Sequence, residues 1–361
     1  MSKFIAGFAL SVSITLTATG GPTATSDGKE NSMSHITPEF KTVLSQSKLV
    51  CFGRFVVEVP ATAEVVFGPS EVPYSLIRLV GKGEQIEEVI AARLSEIENE
   101  RYRAKGELRA KDSMLGKVIQ GGAAKQKIVF GIRPGAGDYY RIESHVVVGD
   151  DIFVYKANPS GAIEDYEVAL QKLNAVSRLL RSRSIAEIPS IAGLCVDGGF
   201  IEDSSWLSHE NITLGVRLVE FPDVHVSIAT TKKDYFVESD ALEIRLRQAE
   251  DDAIKSGAEN WYSRIKFIRK GLRLIDKWAG FEVLTRKPRQ GNENESHEFA
   301  FLSQGQPKNA YLPVLDIKLH SGVADNKMGQ RKPSITDEEA MLLWDRLTGS
   351  IRVRPIKVTA N

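Results

Sequence analysis

The 361-residue chain is 42% hydrophobic and 26% charged, an ordinary globular composition at a length that suits two domains. Its 47 Lys and Arg balance 47 Asp and Glu, so no basic excess marks it for nucleic acid or an anionic membrane surface. Past the N-terminal apolar run, no segment approaches 18 consecutive apolar residues, which excludes a membrane-spanning helix from the rest of the chain.

Lys3 precedes an apolar run from Phe4 to Leu16, followed by "TATGG" and the polar "PTATSDGKENS". A basic start, a short apolar middle and a small-residue exit are the layout of a secretory signal, here residues 1–30. No cysteine follows the run to carry a lipid, and a start at Met33 would remove the signal altogether. Residues 31–47 read as a flexible segment.

From Leu49, "LVCFGRFVVEV" and "YSLIRLVG" (74–81) read as strands, being rich in β-branched and aromatic residues. A helix over 84–105 places Ile86, Ile90, Leu94 and Ile97 on one face. Strands follow at 113–120, 126–133, 139–148 and 151–157, and a second helix over 162–182 carries Tyr166, Leu170, Leu173 and Leu180. "EIPSIAG" (187–193) reads as a linker.

The same order then returns. "LCVDGGFI" opens it, with strands at 211–220 and 224–232 and a helix over 239–257 bearing Leu242, Leu246, Ala249 and Ala253. Strands at 262–270, 272–286, 296–303 and 311–320 precede a helix over 335–348 with Ala340, Leu343, Trp344 and Leu347. The closing "GSIRVRP" echoes "LLRSRSIAEIP", and the two cysteines, Cys51 and Cys195, each open one half. The expected fold is α+β: two related domains, 48–186 and 194–356, each an antiparallel sheet backed by two helices.

Signatures of catalysis are missing. There is no G-x-S-x-G elbow, Walker loop or G-x-G-x-x-G fingerprint, so neither a readable serine hydrolase nor a nucleotide cofactor is indicated. The histidines at 35, 145, 209, 225, 297 and 320 form no H-E-x-x-H, and no metal is expected. "SRIK" (263–266) lacks the companion motifs of an S-x-x-K enzyme, and Glu58, Asp151, Asp197 and Glu202 sit where strand ends and turns commonly carry acids. Cys51 and Cys195 either form one disulfide joining the two domain starts or are two buried thiols; no motif supports a catalytic cysteine. Trp206 reads as exposed, whereas Trp261, Trp278 and Trp344 read as core. Two polar loops, 287–298 and 321–334, are solvated connections or the contact tips of a binding protein.

"VCFGRFVVEVPATAEV", "GLCVDGGFI" and "LLWDRLTGSIRVRP", in this order and with "FEVLTRKP" (281–288) between the last two, resemble the immunity proteins that neutralise type VI secretion lipase effectors. The resemblance spans residues 48–355. It implies N- and C-terminal immunity domains of related build, no catalysis and no cofactor. It also implies a periplasmic protein that grips a toxic phospholipase and blocks the opening of its active site. The shared motifs are structural, so they transfer no contact residues. An envelope hydrolase with an unfamiliar site, and a periplasmic adaptor or carbohydrate-binding module, are the readings from other classes.

Overall fold

The computed structural model describes residues 36–159, 165–205 and 207–357. The signal-like stretch 1–30, Met33 and Trp206 lie outside the described residues. Helix α1 (Pro38–Ser45) comes first, then β1 (Ser47–Phe52), β2 (Phe55–Pro60), β3 (Glu64–Phe67), β4 (Ser70–Glu71) and β5 (Ser75–Leu79). Helix α2 (Ile86–Glu100) leads to β6 (Val118–Gln120), β7 (Gln126–Arg133), β8 (Ala136–Val148) and β9 (Asp151–Ala157). Helix α3 (Tyr166–Leu179) runs into β10 (Leu180–Ser182), β11 (Gly193–Val196), β12 (Gly199–Glu202), β13 (Asn211–Arg217) and β14 (His225–Thr231). Helices α4 (Leu242–Lys255) and α5 (Glu259–Tyr262) precede β15 (Lys266–Ile275), β16 (Trp278–Lys287), β17 (Ser296–Ser303) and β18 (Val314–His320). Helix α6 (Asp337–Ser350) and β19 (Arg352–Val353) end the order.

The architecture is α+β with antiparallel sheets, as expected, but four expectations need correction. The segment 31–47 is not flexible throughout: Thr37 caps α1 through its side chain, and Phe40, Val43 and Leu44 are buried. The helix expected to run to 182 stops at Leu179, because Leu180–Ser182 pairs with β12 instead. Its buried face centres on Ala169, Leu173 and Val176, leaving Tyr166 exposed. The break between the third and fourth strands of the second half falls at Asp276, in the left-handed region at φ 48, and not at Gly271, which continues β15.

The chain forms two compact units, and these are not the expected halves 48–186 and 194–356. The first unit takes in residues up to Val50, Val56–Val66 and Leu214–Val353; the second takes in Cys51–Phe55, Phe67–Thr213 and the chain from Arg354. The reason is an exchange of strands. β1, β2 and β19 form one small sheet, and β11, β12 and β10 form another. Each opening hairpin thus accepts the strand that closes the other half.

Within the first unit, β15–β16–β17–β18–β14–β13 run side by side in that order. Helix α6 buries Ala340, Leu343, Trp344 and Leu347, and its start is fixed by a capping box between Thr336 and Glu339. The Trp344 ring stands edge-on to Phe299 at 5.9 Å, and its indole N–H donates to Glu282 at 3.1 Å. Trp278 is fully buried and donates to the Pro313 carbonyl at 2.8 Å.

In the second unit the order is β4–β5–β9–β8–β7–β6. Helix α2 packs Ile90 and Ile97 with Leu108, Leu115, Val129 and Ile132. The tip Cys51–Phe55 also belongs to this unit, and there Cys51 and Cys195 are joined in a disulfide with Cα atoms 5.8 Å apart. Two backbone bonds of 2.8 Å between Gly53 and Cys195 run beside it. Arg54, 4% exposed, sends its guanidinium to both Asp203 and Glu210 at 2.7–2.9 Å, which holds its pKa above the usual arginine range despite burial.

The segment 187–193 is held in place. The buried Arg354 donates to the carbonyls of Pro189, Ile191 and Gly193, and Lys357 N–H donates to Ser190 O. Arg354 and Arg181 lie over the Phe200 ring at 5.3 and 4.8 Å.

Candidate functional site

The polar loops 287–298 and 321–334 both belong to the first unit, and the structure ties them to each other. Asn294 donates to the Gly329 carbonyl through its backbone N–H at 2.7 Å and its amide at 3.1 Å. Gly329 has φ +70, and a Cβ there would lie 2.9 Å from the Glu293 Cβ, so no larger residue fits this close approach. Asp325 and Asn326, both left-handed at φ 50 and 58, turn the chain between Ala324 and Lys327. Buried Asp223 clamps both ends of the second loop, accepting from Gly322 N–H at 2.8 Å and from Ser334 N–H at 3.1 Å as well as from the Ser334 hydroxyl.

Arg289, Gln290, Asn292 and Glu293 on one loop, and Asp325, Asn326, Lys327 and Met328 on the other, are exposed. Tips of mixed charge on a pinned base lose little conformational entropy when they meet a partner.

Beneath the loops lies a Ser–His–Asp contact. The Ser321 hydroxyl is 2.7 Å from His297 Nδ1, and His297 Nε2 is 2.9 Å from Asp337 Oδ1. Burial depresses the His297 pKa, so the ring is neutral: Nε2–H donates to Asp337 and Nδ1 accepts from Ser321. Burial alone would raise the Asp337 pKa, but hydrogen bonds from Lys266 and His297 and the charge of Arg286 prevail and hold it at about 2. Ser321 and His297 are both completely buried, so no acyl substrate can reach that hydroxyl. The group is a structural strut that joins β17, the base of the second loop and the first turn of α6.

The other residues singled out in the sequence do not assemble. Asp151 and Asp197 meet only around Arg78, at 2.6 and 3.2 Å, and Glu58 pairs with Arg352 at 3.2 Å. Glu202 is an exposed residue at the end of β12. Within "SRIK", Ser263 bonds the Asn260 carbonyl while Lys266 bonds Asp337, so the two side chains serve different partners. Among the described residues no three His, Cys, Asp or Glu side chains gather as a metal site requires, and no helix is long and apolar enough to cross a membrane. The sequence reading missed the Arg54 and Asp223 clamps. Their only trace is one charged or acidic residue inside an apolar run, in "CFGRF" and "EFPDVHV".

Comparison with known proteins finds a family match over part of the chain. No curated protein sequence matches. A chain of the solved Tle4–Tli4 complex superposes at TM-score 0.68 with 22% identity, covering 87% of this chain and 99% of that one. The apo immunity protein TplEi of the T6SS from Pseudomonas aeruginosa gives 0.62 at 22% identity over 86% and 98%, and the same protein complexed with "L" peptide gives the same values. These likenesses show the fold. Residues 187–356 match the family model for the Tle cognate immunity protein 4 C-terminal domain, a segment that opens at the first residue of "EIPSIAG". Over that segment the chain is similar to the C-terminal domain of a Tle cognate immunity protein.

Proposed function

We propose that this protein binds and inhibits a secreted type VI phospholipase effector in the periplasm, with no turnover of its own. The match of residues 187–356 to an effector-cognate immunity domain carries this reading. The sealed Ser321–His297–Asp337 group supports it, since it offers a substrate no entry. A disulfide between Cys51 and Cys195 suits an oxidising compartment such as the periplasm. An inhibitor that must outlast repeated exposure needs slow release and an interface of about 2,000 Å² or more. The pinned loops 287–298 and 321–334 are part of that surface. The repeated order of the two halves, each with a hairpin, a long helix and a closing strand, reflects one ancestral unit present twice.

The test mixes the purified protein with the lipase encoded beside it and follows phospholipid hydrolysis. Stoichiometric inhibition is expected. Unimpaired hydrolysis with excess protein, or lipid turnover by this protein alone, refutes the reading.

A further inference from the structure

Among the described residues strand β15 ends its sheet, bonded to β16 on one side, and its other row of backbone N–H and C=O groups has no strand partner there. Natural sheets usually blunt such an edge. This one exposes Leu272 and Leu274, at 85% and 68%, on the same face as Lys270. Both leucines form the rim of a cavity of about 480 Å³, with Leu242, Phe281 and Leu302 on its walls. Gln304, also on the wall, holds Val237 through two hydrogen bonds of 2.7 and 3.3 Å. Tyr235 and Phe236, which precede Val237 in the chain, are largely exposed. An edge strand, two protruding leucines and an apolar hollow beside them are the parts of a strand-addition site, where backbone bonds supply affinity and side-chain pockets supply selectivity.

Charge identifies the occupant. "KFIRKGLRLI" carries four cations, Lys266, Arg269, Lys270 and Arg273, and no acid. Lys266 is paired with Asp337, and Arg269 and Arg273 with Glu282 and Asp345. The Lys270 ammonium lies over the Phe267 ring at 5.1 Å. A second copy is a poor occupant. Antiparallel pairing about Gly271 sets Arg269 opposite Arg273, and a half-step shift sets Lys270 opposite Arg273. Like charges across a strand pair destabilise it.

We infer that β15 docks an extended segment of the lipase effector that carries, at every second position and so on one face, an acidic residue and then apolar residues. The acid faces Lys270, and the apolar side chains sit against Leu272 and Leu274 and enter the cavity. This rests on the function proposed above.

The experiment measures binding of the neighbouring lipase to the full chain, to the double variant Leu272→Asp/Leu274→Asp and to Lys270→Glu, with hydrogen exchange on the wild-type complex. The leucines are exposed, so the double variant should keep the parent melting temperature while its affinity falls on the order of 100-fold. Lys270→Glu should associate about tenfold more slowly at low salt. The β15 amides facing away from β16 should become protected in the complex. If the wild type binds and the double variant binds equally well, or β15 exchange is unchanged, the docking site is wrong while the immunity reading stands. No binding by the wild type overturns both. A dimer of the free protein that the double variant abolishes would replace the effector segment with a second copy.

Discussion

Removing the Cys51–Cys195 link should change stability by an amount that chain length alone sets. The bond closes a span of 144 residues, and the loss of unfolded-chain entropy scales with the logarithm of that span. For a loop this long the entropic model gives about 5 kcal/mol at 25 °C, near the upper end of what one disulfide contributes. Both cysteines are completely buried, so alanine is the better replacement; serine would add a buried hydroxyl to satisfy. The two Gly53–Cys195 backbone bonds remain after the change, so the folded state keeps its local geometry and the effect falls on the unfolded chain. Urea unfolding of the parent, the parent in reductant and the Cys51→Ala/Cys195→Ala variant is the assay. The two altered forms should agree with each other, lie several kcal/mol below the parent and show a larger denaturant slope, because the uncrosslinked chain exposes more surface. A loss under about 1 kcal/mol would refute the entropic reasoning, as the same model gives about 3 kcal/mol even for a loop of about 15 residues.

Arg54→Ala should cost about 3–5 kcal/mol, since Glu210 is left buried without its charge partner, whereas Glu202→Ala on the exposed end of β12 should change stability by less than about 0.5 kcal/mol; equal melting temperatures for the two variants contradict this. Asp337 has a folded pKa of about 2 against 3.8 unfolded, so its contribution, about 2 kcal/mol, is present above pH 4 and lost as pH falls toward 2. The Asp337→Asn variant should lack that acid-dependent loss, and an acid titration identical to the parent's argues against the strut. The depressed His297 pKa acts in the same direction: its stabilisation is complete above pH 6.5 and declines on acidification below it. A protease site placed in 187–193 of the full chain should, once cut, leave two fragments that stay together in reductant without denaturant, because each opening hairpin is bound to the other fragment's strand; separation on a sizing column contradicts the exchange.

The helices were legible where apolar residues recur at helical spacing. All four residues expected on the face of α6 are buried, and Ile90 and Ile97 anchor α2. Long strands were legible from their β-branched content. The short elements were not: β4 and β19 have two residues each, too few for any periodicity. Gly271 misled the reading of the β15–β16 turn, since glycine marks turns locally while the register is decided by cross-strand pairing of Phe281, Val283 and their neighbours. The exchange was not visible: a strand of two or three residues carries no mark of which hairpin it will join. The loops 287–298 and 321–334 stood out by composition, yet their connection through Asn294 and Gly329 depends on a fold that brings together residues 35 positions apart.

The sheet β1–β2–β19 also has an order in time. Among the described residues its hairpin comes before every other strand in chain order, and its third strand, Arg352–Val353, comes after them all. Until Arg352 and Val353 are made, β2 has an open edge, so a chain that stops short of them cannot complete this sheet. The same dependence makes β19 a sensitive element. Loss of Arg352 and Val353 would be felt in β2, in the opposite half of the sequence, before it was felt in the helix beside the cut.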